Sequence, residues 1–219
     1  MVYYTYKDVI NMKNKIRVLY HSSIKIDDGK ILYFDPYNIK KAENDADYIF
    51  ITHDHYDHYS PEDIEKVIKK DTVIFAPTSL ENEFPGKFSI FMKAVDVFQN
   101  QFIKVEAVPA YNIGKKFHPK ENAWNGYIVT LNNIRYYIAG DTDITPDNKN
   151  VKCDVALVPV GGKYTMNYKE AAILVNKLKP QLAVPTHFGG IVGTSFDGEK
   201  FKSLLLPKIR CDILTEKFD

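Results

Sequence analysis

Cysteine is scarce: the 219 residues contain two, Cys153 and Cys211. They lie far apart, in Val151-Lys-Cys-Asp-Val155 and Ile209-Arg-Cys-Asp-Ile213. No Cys-x-x-Cys or Cys/His spacing accompanies them, which excludes a thiolate zinc site and a disulfide framework. They read as small buried thiols in a reducing compartment. An excess of charge of either sign is also missing: 29 basic and 28 acidic side chains leave +1. No global field therefore calls for nucleic acid or an anionic membrane. Long apolar runs are absent as well. Stretches such as Val155-Ala-Leu-Val-Pro-Val160 fall far short of the ~20 residues that span a bilayer, so no membrane insertion is expected. The start, Met1-Val-Tyr-Tyr-Thr-Tyr-Lys-Asp8, lacks the basic then apolar pattern of a secretion signal. A cytoplasmic location follows by default. No repeat, low-complexity tract or Ser/Gly/Pro-rich linker divides the chain, and one domain over residues 1–219 is the expectation.

What the chain does have is short strand-like runs: Ile16–Tyr20, Ile31–Phe34, Tyr48–Thr52, Thr72–Ala76, Phe102–Val108, Gly126–Leu131, Ile134–Ala139, Val155–Pro159 and Leu182–Pro185. They are rich in Val, Ile, Tyr and Phe and mostly bounded by Asp, Asn, Gly or Pro. Asn132-Asn133 between two of them reads as a two-residue hairpin turn. Helix signals are fewer. Ser60-Pro61-Glu62-Asp63 supplies an N-cap, a first-position proline and first-turn acids, followed by Ile64, Val67 and Ile68 at helical spacing. Asn167 caps a second helix from Tyr168 to Lys179, stopped by Pro180, and a third is expected over Gly198–Leu206. Many strands with interspersed helices predict an α/β layered fold.

Six histidines are present, and three fall within six residues, in His53-Asp54-His55-Tyr56-Asp57-His58. The apolar run Tyr48-Ile-Phe-Ile-Thr52 precedes them and the capped helix follows, so the cluster occupies a strand-to-helix loop. In extended chain, residues two apart point the same way, roughly 6.5 Å apart. His53 and His55 can therefore share one divalent ion. Asp57 and His58, at the turn into the helix, suit a second ion nearby, and Asp54 is available to orient an imidazole. Burying this much polarity costs several kcal/mol unless metals or hydrogen bonds satisfy it; a solvated loop is the competing reading. Asp141, in Gly140-Asp-Thr-Asp143 after a strand, can bridge two cations, or can merely form a turn. His187, in His187-Phe-Gly-Gly190 after another strand, is a further candidate ligand. His21 follows the first strand, where it either lines the pocket or serves structure. Gly161-Gly162 suits a closely approaching loop, with Tyr164 as a substrate contact.

His-x-His-x-Asp-His after a buried strand, a later Gly-Asp-Thr and a late strand-end histidine together resemble the metallo-β-lactamase superfamily over nearly the whole chain. Asp35-Pro36-Tyr37, Val108-Pro-Ala-Tyr-Asn112 and Pro159-Val-Gly-Gly-Lys-Tyr-Thr-Met166 are similar to its small zinc-dependent hydrolases. These include relatives of ascorbate-6-phosphate lactonase and of N-acyl-phosphatidylethanolamine phospholipase D. The resemblance implies an αββα four-layer sandwich holding two divalent metal ions, zinc first, with manganese, iron or nickel as alternatives. His53 and His55 would bind the first ion, Asp57, His58 and His187 the second, and Asp141 both. The family usually supplies a third histidine to the first ion from the loop where this chain has Asn112, a weak ligand. Either His118, six residues on, reaches in, or the first site is weakened; a surface position for His118 is the other reading.

The implied activity is a lactonase-like hydrolysis of an ester, lactone, amide or phosphodiester small molecule. Asp57 would then be metal ligand and general base at once. Lys115, Lys116, Lys120 and Lys163 either attract an anionic substrate at the mouth or are ordinary solvated charges. Two rivals remain: a nuclease, which usually carries a nucleic-acid-gripping domain for which 219 residues at +1 leave neither room nor charge, and a non-catalytic metal-binding module with a degenerate first site.

Overall fold

The computed structural model describes residues 11–215. Two sheets face one another. The first has six strands in the order β1 (Ile16–Tyr20), β2 (Ser23–Asp27), β3 (Ile31–Phe34), β4 (Ala46–Phe50), β5 (Ile68–Pro77) and β6 (Phe88–Met92). The second runs β13 (Arg210–Cys211), β12 (Leu182–Thr186), β11 (Val155–Pro159), β10 (Ile134–Ile138), β9 (Asn125–Leu131), β8 (Ile103–Pro109) and β7 (Val97–Gln99). Each sheet is antiparallel at one side and parallel at the other: β3 to β6 are parallel, as are β10 to β13. Parallel strands are covered on both faces and need apolar residues at every position. That is why Val155–Pro159 and Leu182–Thr186 are buried throughout and read as continuous runs, not alternations.

Three cores account for the layers. Between the sheets, Phe34, Phe50 and Phe75 stack with centroids 4.6 and 4.8 Å apart, and Tyr127 of the opposite sheet tilts onto Phe50. Outside the first sheet, helix α1 (Pro61–Val67) buries Ile64 and Val67 against Ile49, Ile51 and Ile74. Outside the second, α2 (Tyr168–Leu178) buries Ala171, Leu174, Val175 and Leu178, while α3 (Asp197–Ser203) adds Phe201. The order helix, sheet, sheet, helix is the expected αββα sandwich. Among the described residues no helix is long and apolar enough to cross a membrane.

Ser60 caps α1 and Asn167 forms a full capping box with Glu170, as their positions predict. Asn132 and Asn133 both have positive φ, the mark of the hairpin turn whose twist matches its strands. Other expectations need correction. Helix α1 ends at Val67, with Ile68 already opening β5, and α3 covers Asp197–Ser203. Strands β2, β6, β7 and β13 have no counterpart among the expected runs. β2 (Ser-Ile-Lys-Ile-Asp) is short and partly polar, because Lys25 is buried beside Glu43 and Asp45.

Two ties hold the strand end that leads into the histidine cluster. The Tyr127 hydroxyl donates to the Ile51 carbonyl at 2.8 Å, and the Asn125 N–H donates to the Thr52 carbonyl at 3.1 Å. A third tie comes from α1. Buried Asp63 accepts from the Asn38 and Ile39 N–H groups (2.8 and 3.0 Å), the Ser60 hydroxyl and Lys66. It thereby fastens residues 38–39 to the helix that follows the cluster. Burial opposes its ionisation, but the Lys66 and Ser60 hydrogen bonds and the two backbone donors hold it below the usual carboxylate range. Asp63→Asn should lower unfolding stability at neutral pH by roughly 1–3 kcal/mol, read from urea midpoints. A folded-state pKa below the unfolded value of about 3.9 contributes stability that is present above that value and lost as pH falls through the folded one. The gap between wild type and variant should therefore close in acid; a gap independent of pH would refute the assignment.

Candidate metal centre

The chemistry-bearing residues all follow the carboxyl ends of strands: His21 after β1, Asp35 after β3, His53 to His58 after β4, Asp141 after β10 and His187 after β12. Parallel packing places those ends along one edge, where open α/β sheets hold their ligands. Several turns there are strained. His21, Asp35 and His187 have φ of +54°, +45° and +57°, a region that few non-glycine residues adopt and that concentrates at functional sites. Gly161 lets the chain pass close beneath His187, since a Cβ on it would stand 2.2 Å from the His187 carbonyl.

Three groups of donors result, two of them sharing His53, each with its ligand atoms within 4.8 Å of one another: His53, His55 and His118; His53, His58 and Asp141; and His21, Asp57 and His187. Asp141 ties them together. Its Oδ1 lies 3.3 Å from His58 Nε2, and its Oδ2 lies 3.1 Å from His187 Nε2 and 3.5 Å from His118 Nε2. Asp57 Oδ2 faces the Nε2 atoms of His21, His58 and His187 at 3.4, 3.7 and 3.8 Å.

His118 is therefore not a surface residue. It is buried, with its ring 4.5 Å from that of His53 and 4.7 Å from that of His55. Asn112 acts on the loop itself: its N–H donates to the His118 carbonyl at 2.7 Å and its side-chain amide to the Tyr164 carbonyl. The loop closed by that first bond turns His118 inward. Asp54 is exposed and does not orient an imidazole.

Asp35 has that task. His58 Nδ1 donates to Asp35 Oδ2 at 2.7 Å. The Thr52 hydroxyl donates to the same oxygen at 2.7 Å, and the Thr52 N–H to Oδ1 at 2.8 Å. Having given its one proton to Asp35, the Thr52 hydroxyl can only accept from His53 Nδ1, 2.8 Å away; hydroxyl chemistry thus sets the tautomer. One carboxylate fixes both rings with Nδ1 protonated, leaving the Nε2 lone pairs of His53 and His58 aimed into the centre. Neither Asp35 nor Thr52 stood out as a site residue in the sequence. The available signal was an Asp-Pro pair directly after an apolar strand and a threonine directly before the first histidine.

The protonation states suit ligation. Burial holds His53 well below the usual imidazole range, the His58 charge adding to it, and lowers His118 to about 4. Burial resists ionisation of Asp141, but His187 and His58 outweigh it and keep the group well below the usual carboxylate range. Asp141 and Asp35 overcome burial to push His58 up, so a cation binding at its Nε2 takes the place of a proton. Neutral imidazoles and ionised carboxylates are the forms that bind metal. The Nε2 atoms of His21, His53, His58, His118 and His187, together with Asp141 Oδ1, are buried and have no hydrogen-bond partner among the described residues. Such groups are costly in a folded interior, and divalent cations satisfy them together. Donor set and geometry fit a metal centre.

The centre opens into a cavity of about 290 Å³ whose walls include Tyr56, Asp57, Phe117, Lys163, Tyr164 and Ile191. Tyr164 is on the wall as expected, edge-on to Phe117. Lys115 and Lys120 are turned away, paired with Asp143 and Asp147, so the expected cationic mouth reduces at the wall to Lys163.

Asp35→Asn keeps the size and tolerates the positive φ, but it offers one acceptor oxygen where the carboxylate offers two. Metal affinity should fall roughly 10- to 100-fold in chelator competition with the far-ultraviolet dichroism unchanged. Wild-type affinity in this variant would show that Asp35 does not orient the histidines.

Comparison with known proteins agrees with this geometry. Residues 15–187 match the "Beta-lactamase superfamily domain". The chain is 31% identical over 216 residues to a "UPF0173 metal-dependent hydrolase" of Thermococcus onnurineus, covering 91% of this chain and 96% of that one. A protein of the same description from Thermococcus kodakarensis is 32% identical, with the same coverage. Among solved structures, a candidate metal-dependent hydrolase from Parabacteroides distasonis superposes with a TM-score of 0.77 at 33% identity, covering 92% of this chain and 93% of that one. Igni18, a metallo hydrolase of Ignicoccus hospitalis, shares the fold, with a TM-score of 0.71 at 22% identity over 93% of this chain and 98% of that one. The chain belongs to the β-lactamase superfamily.

Proposed function

We propose that this protein is a metal-dependent hydrolase acting on a small ester or lactone, with two divalent ions at the centre. The observation that carries the reading is the convergence of buried, unpartnered imidazole nitrogens and carboxylates on one cavity. His53, His55 and His118 would hold the first ion, Asp57, His58 and His187 the second, and Asp141 both. With His118 in place the first group is a full set of three histidines, which argues against a degenerate site and a non-catalytic module. Zinc suits these nitrogen and carboxylate donors, and manganese, iron and nickel share them.

Two such ions would supply an acidified water and positive charge against the oxyanion of the reaction. The chain's own residues do the rest. Asp57 belongs to the donor cluster and to the cavity wall at once. It is placed to hold the attacking water and take its proton. Burial opposes its ionisation, and the adjoining His21 imidazole and the His58 charge hold it below the usual carboxylate range, so the base is ionised at neutral pH. Phe117, Tyr56, Tyr164, Ile191 and Val192 give the cavity an apolar wall that excludes water and receives an uncharged acyl or alkyl portion. The volume, about 290 Å³, suits a small molecule, the lower end of ligand-pocket sizes. Lys163, at φ +60° and with its Nζ 4.7 Å over the Tyr164 ring, stands where an anionic substituent at the far end of such a substrate would end.

Purified protein should contain two ions per chain and hydrolyse members of a panel of esters, lactones, amides and phosphodiesters. Chelation should abolish turnover and metal should restore it; turnover that survives complete metal removal refutes the reading. Asp57→Asn should lower kcat by at least about 10²-fold, the usual contribution of a general base, while the chain still folds; unchanged turnover would exclude Asp57 as the base. Lys163→Met should raise KM for a carboxylate-bearing ester roughly three- to tenfold, an ordinary yield for one exposed charge. KM for its neutral counterpart should not change. Equal effects on both would remove Lys163 from substrate recognition.

A further inference from the structure

His21 lies outside the ligand set assigned above, and its surroundings are unlike those of a structural histidine. It is 3% exposed, and both ring nitrogens lack a hydrogen-bond partner among the described residues. Its Nε2 is 3.4 Å from Asp57 Oδ2, its ring centroid 3.8 Å from that of His187 and 6.5 Å from that of His58. The backbone aims it: His21 sits at φ +54°, directly after β1, and its carbonyl accepts from the His187 N–H at 2.9 Å. Two strained, mutually bonded residues thus present neighbouring rings to the same carboxylate. A buried imidazole packed for structure alone normally gives its N–H to a backbone carbonyl or a side chain. This one has no such partner among the described residues, and its Nε2 faces the carboxylate of Asp57.

We propose that His21 is a protein ligand of the second ion, alongside Asp57, His58 and His187. The inference rests on the two-ion reading and extends it. It makes the second shell, with Asp141, one of five protein donors, three imidazoles and two carboxylates. Zinc sites normally use three or four. The two ions of the centre are therefore held unequally, the first by His53, His55, His118 and Asp141, the second by the larger set.

The single tryptophan of the chain reports cobalt at the centre in solution. Trp124 is buried with its ring 5.1, 4.9 and 4.6 Å from those of His53, His55 and His118. Its quenching by cobalt thus marks occupancy of the centre, strongest for the first ion, while dialysis counts the ions. Full-length metal-free protein is titrated with Co²⁺, following Trp124 emission together with total bound cobalt by equilibrium dialysis. Wild type should bind two ions, the first accompanied by quenching. His21→Asn, which tolerates the left-handed backbone, should keep the quenching step, while the dissociation constant of the second ion rises more than about 10³-fold. A rise within about 100-fold is what loss of an orienting hydrogen bond gives and would overturn the ligand assignment.

A second measurement does not depend on the variant folding. In crystals of cobalt-loaded wild type, an anomalous peak is expected about 2.0–2.2 Å from His21 Nε2; a second-site peak beyond about 3 Å from it refutes the proposal. Wild type that takes up two ions without His21 refutes this inference alone, and wild type that never takes up a second ion refutes the two-ion reading with it.

Discussion

The buried carboxylate of Asp35 is the constraint on which the centre depends. It accepts from His58 Nδ1, the Thr52 hydroxyl and the Thr52 N–H, and through that hydroxyl it also sets the proton of His53. An imidazole has two nitrogens of similar basicity and a freely turning ring; a ligand needs one chosen lone pair in one direction. Hydrogen bonds of about 2.7 to 2.8 Å remove that freedom before any cation arrives. Because His53 is assigned to the first ion and His58 to the second, the same carboxylate orients donors in both halves of the centre.

Asp35 can do this because the sheets hold it still. Its N–H donates to the Phe50 carbonyl, continuing the parallel β3–β4 pairing by one residue past the strand. Tyr127 and Asn125 of the second sheet clamp Ile51 and Thr52, and Asp63 of α1 fastens residues 38 and 39. The ligand loops thus hang from strand ends fixed on three sides, and left-handed conformations at His21, Asp35 and His187 persist where the surroundings over-determine them.

The division of the cavity follows from the same layout. Strand ends supply the polar floor, while the loops carrying Tyr56, Phe117, Tyr164 and Ile191 supply an apolar wall. Charges further along those loops are neutralised locally, as with Lys115 on Asp143, so the strongest electrostatic feature is the cluster itself. A site built this way recognises its substrate mainly at the reacting group and by apolar fit.

Much of this was legible in the chain. Hydrophobic runs, the Ser60 and Asn167 caps and the Asn132-Asn133 turn mark strands and helices through local chemistry, and the dense His53–His58 motif marks a metal loop because three histidines and two acids there have no cheaper explanation. Local chemistry also shows Asp141 and His187 as strand-end donors. Strands β6, β7 and β13 escaped notice because short edge strands depend on partners, not on their own pattern. The sequence by itself determined the layered α/β architecture and most of the donors. Only the tertiary structure decided that His118 faces inward, that Asp35 and not Asp54 orients the imidazoles, and that His21 stands against Asp57 and His187. Each of those contacts joins residues 23 to 166 positions apart, or turns on which way a loop folds back. Such proximity is set by sheet register and loop closure, which no local spacing encodes.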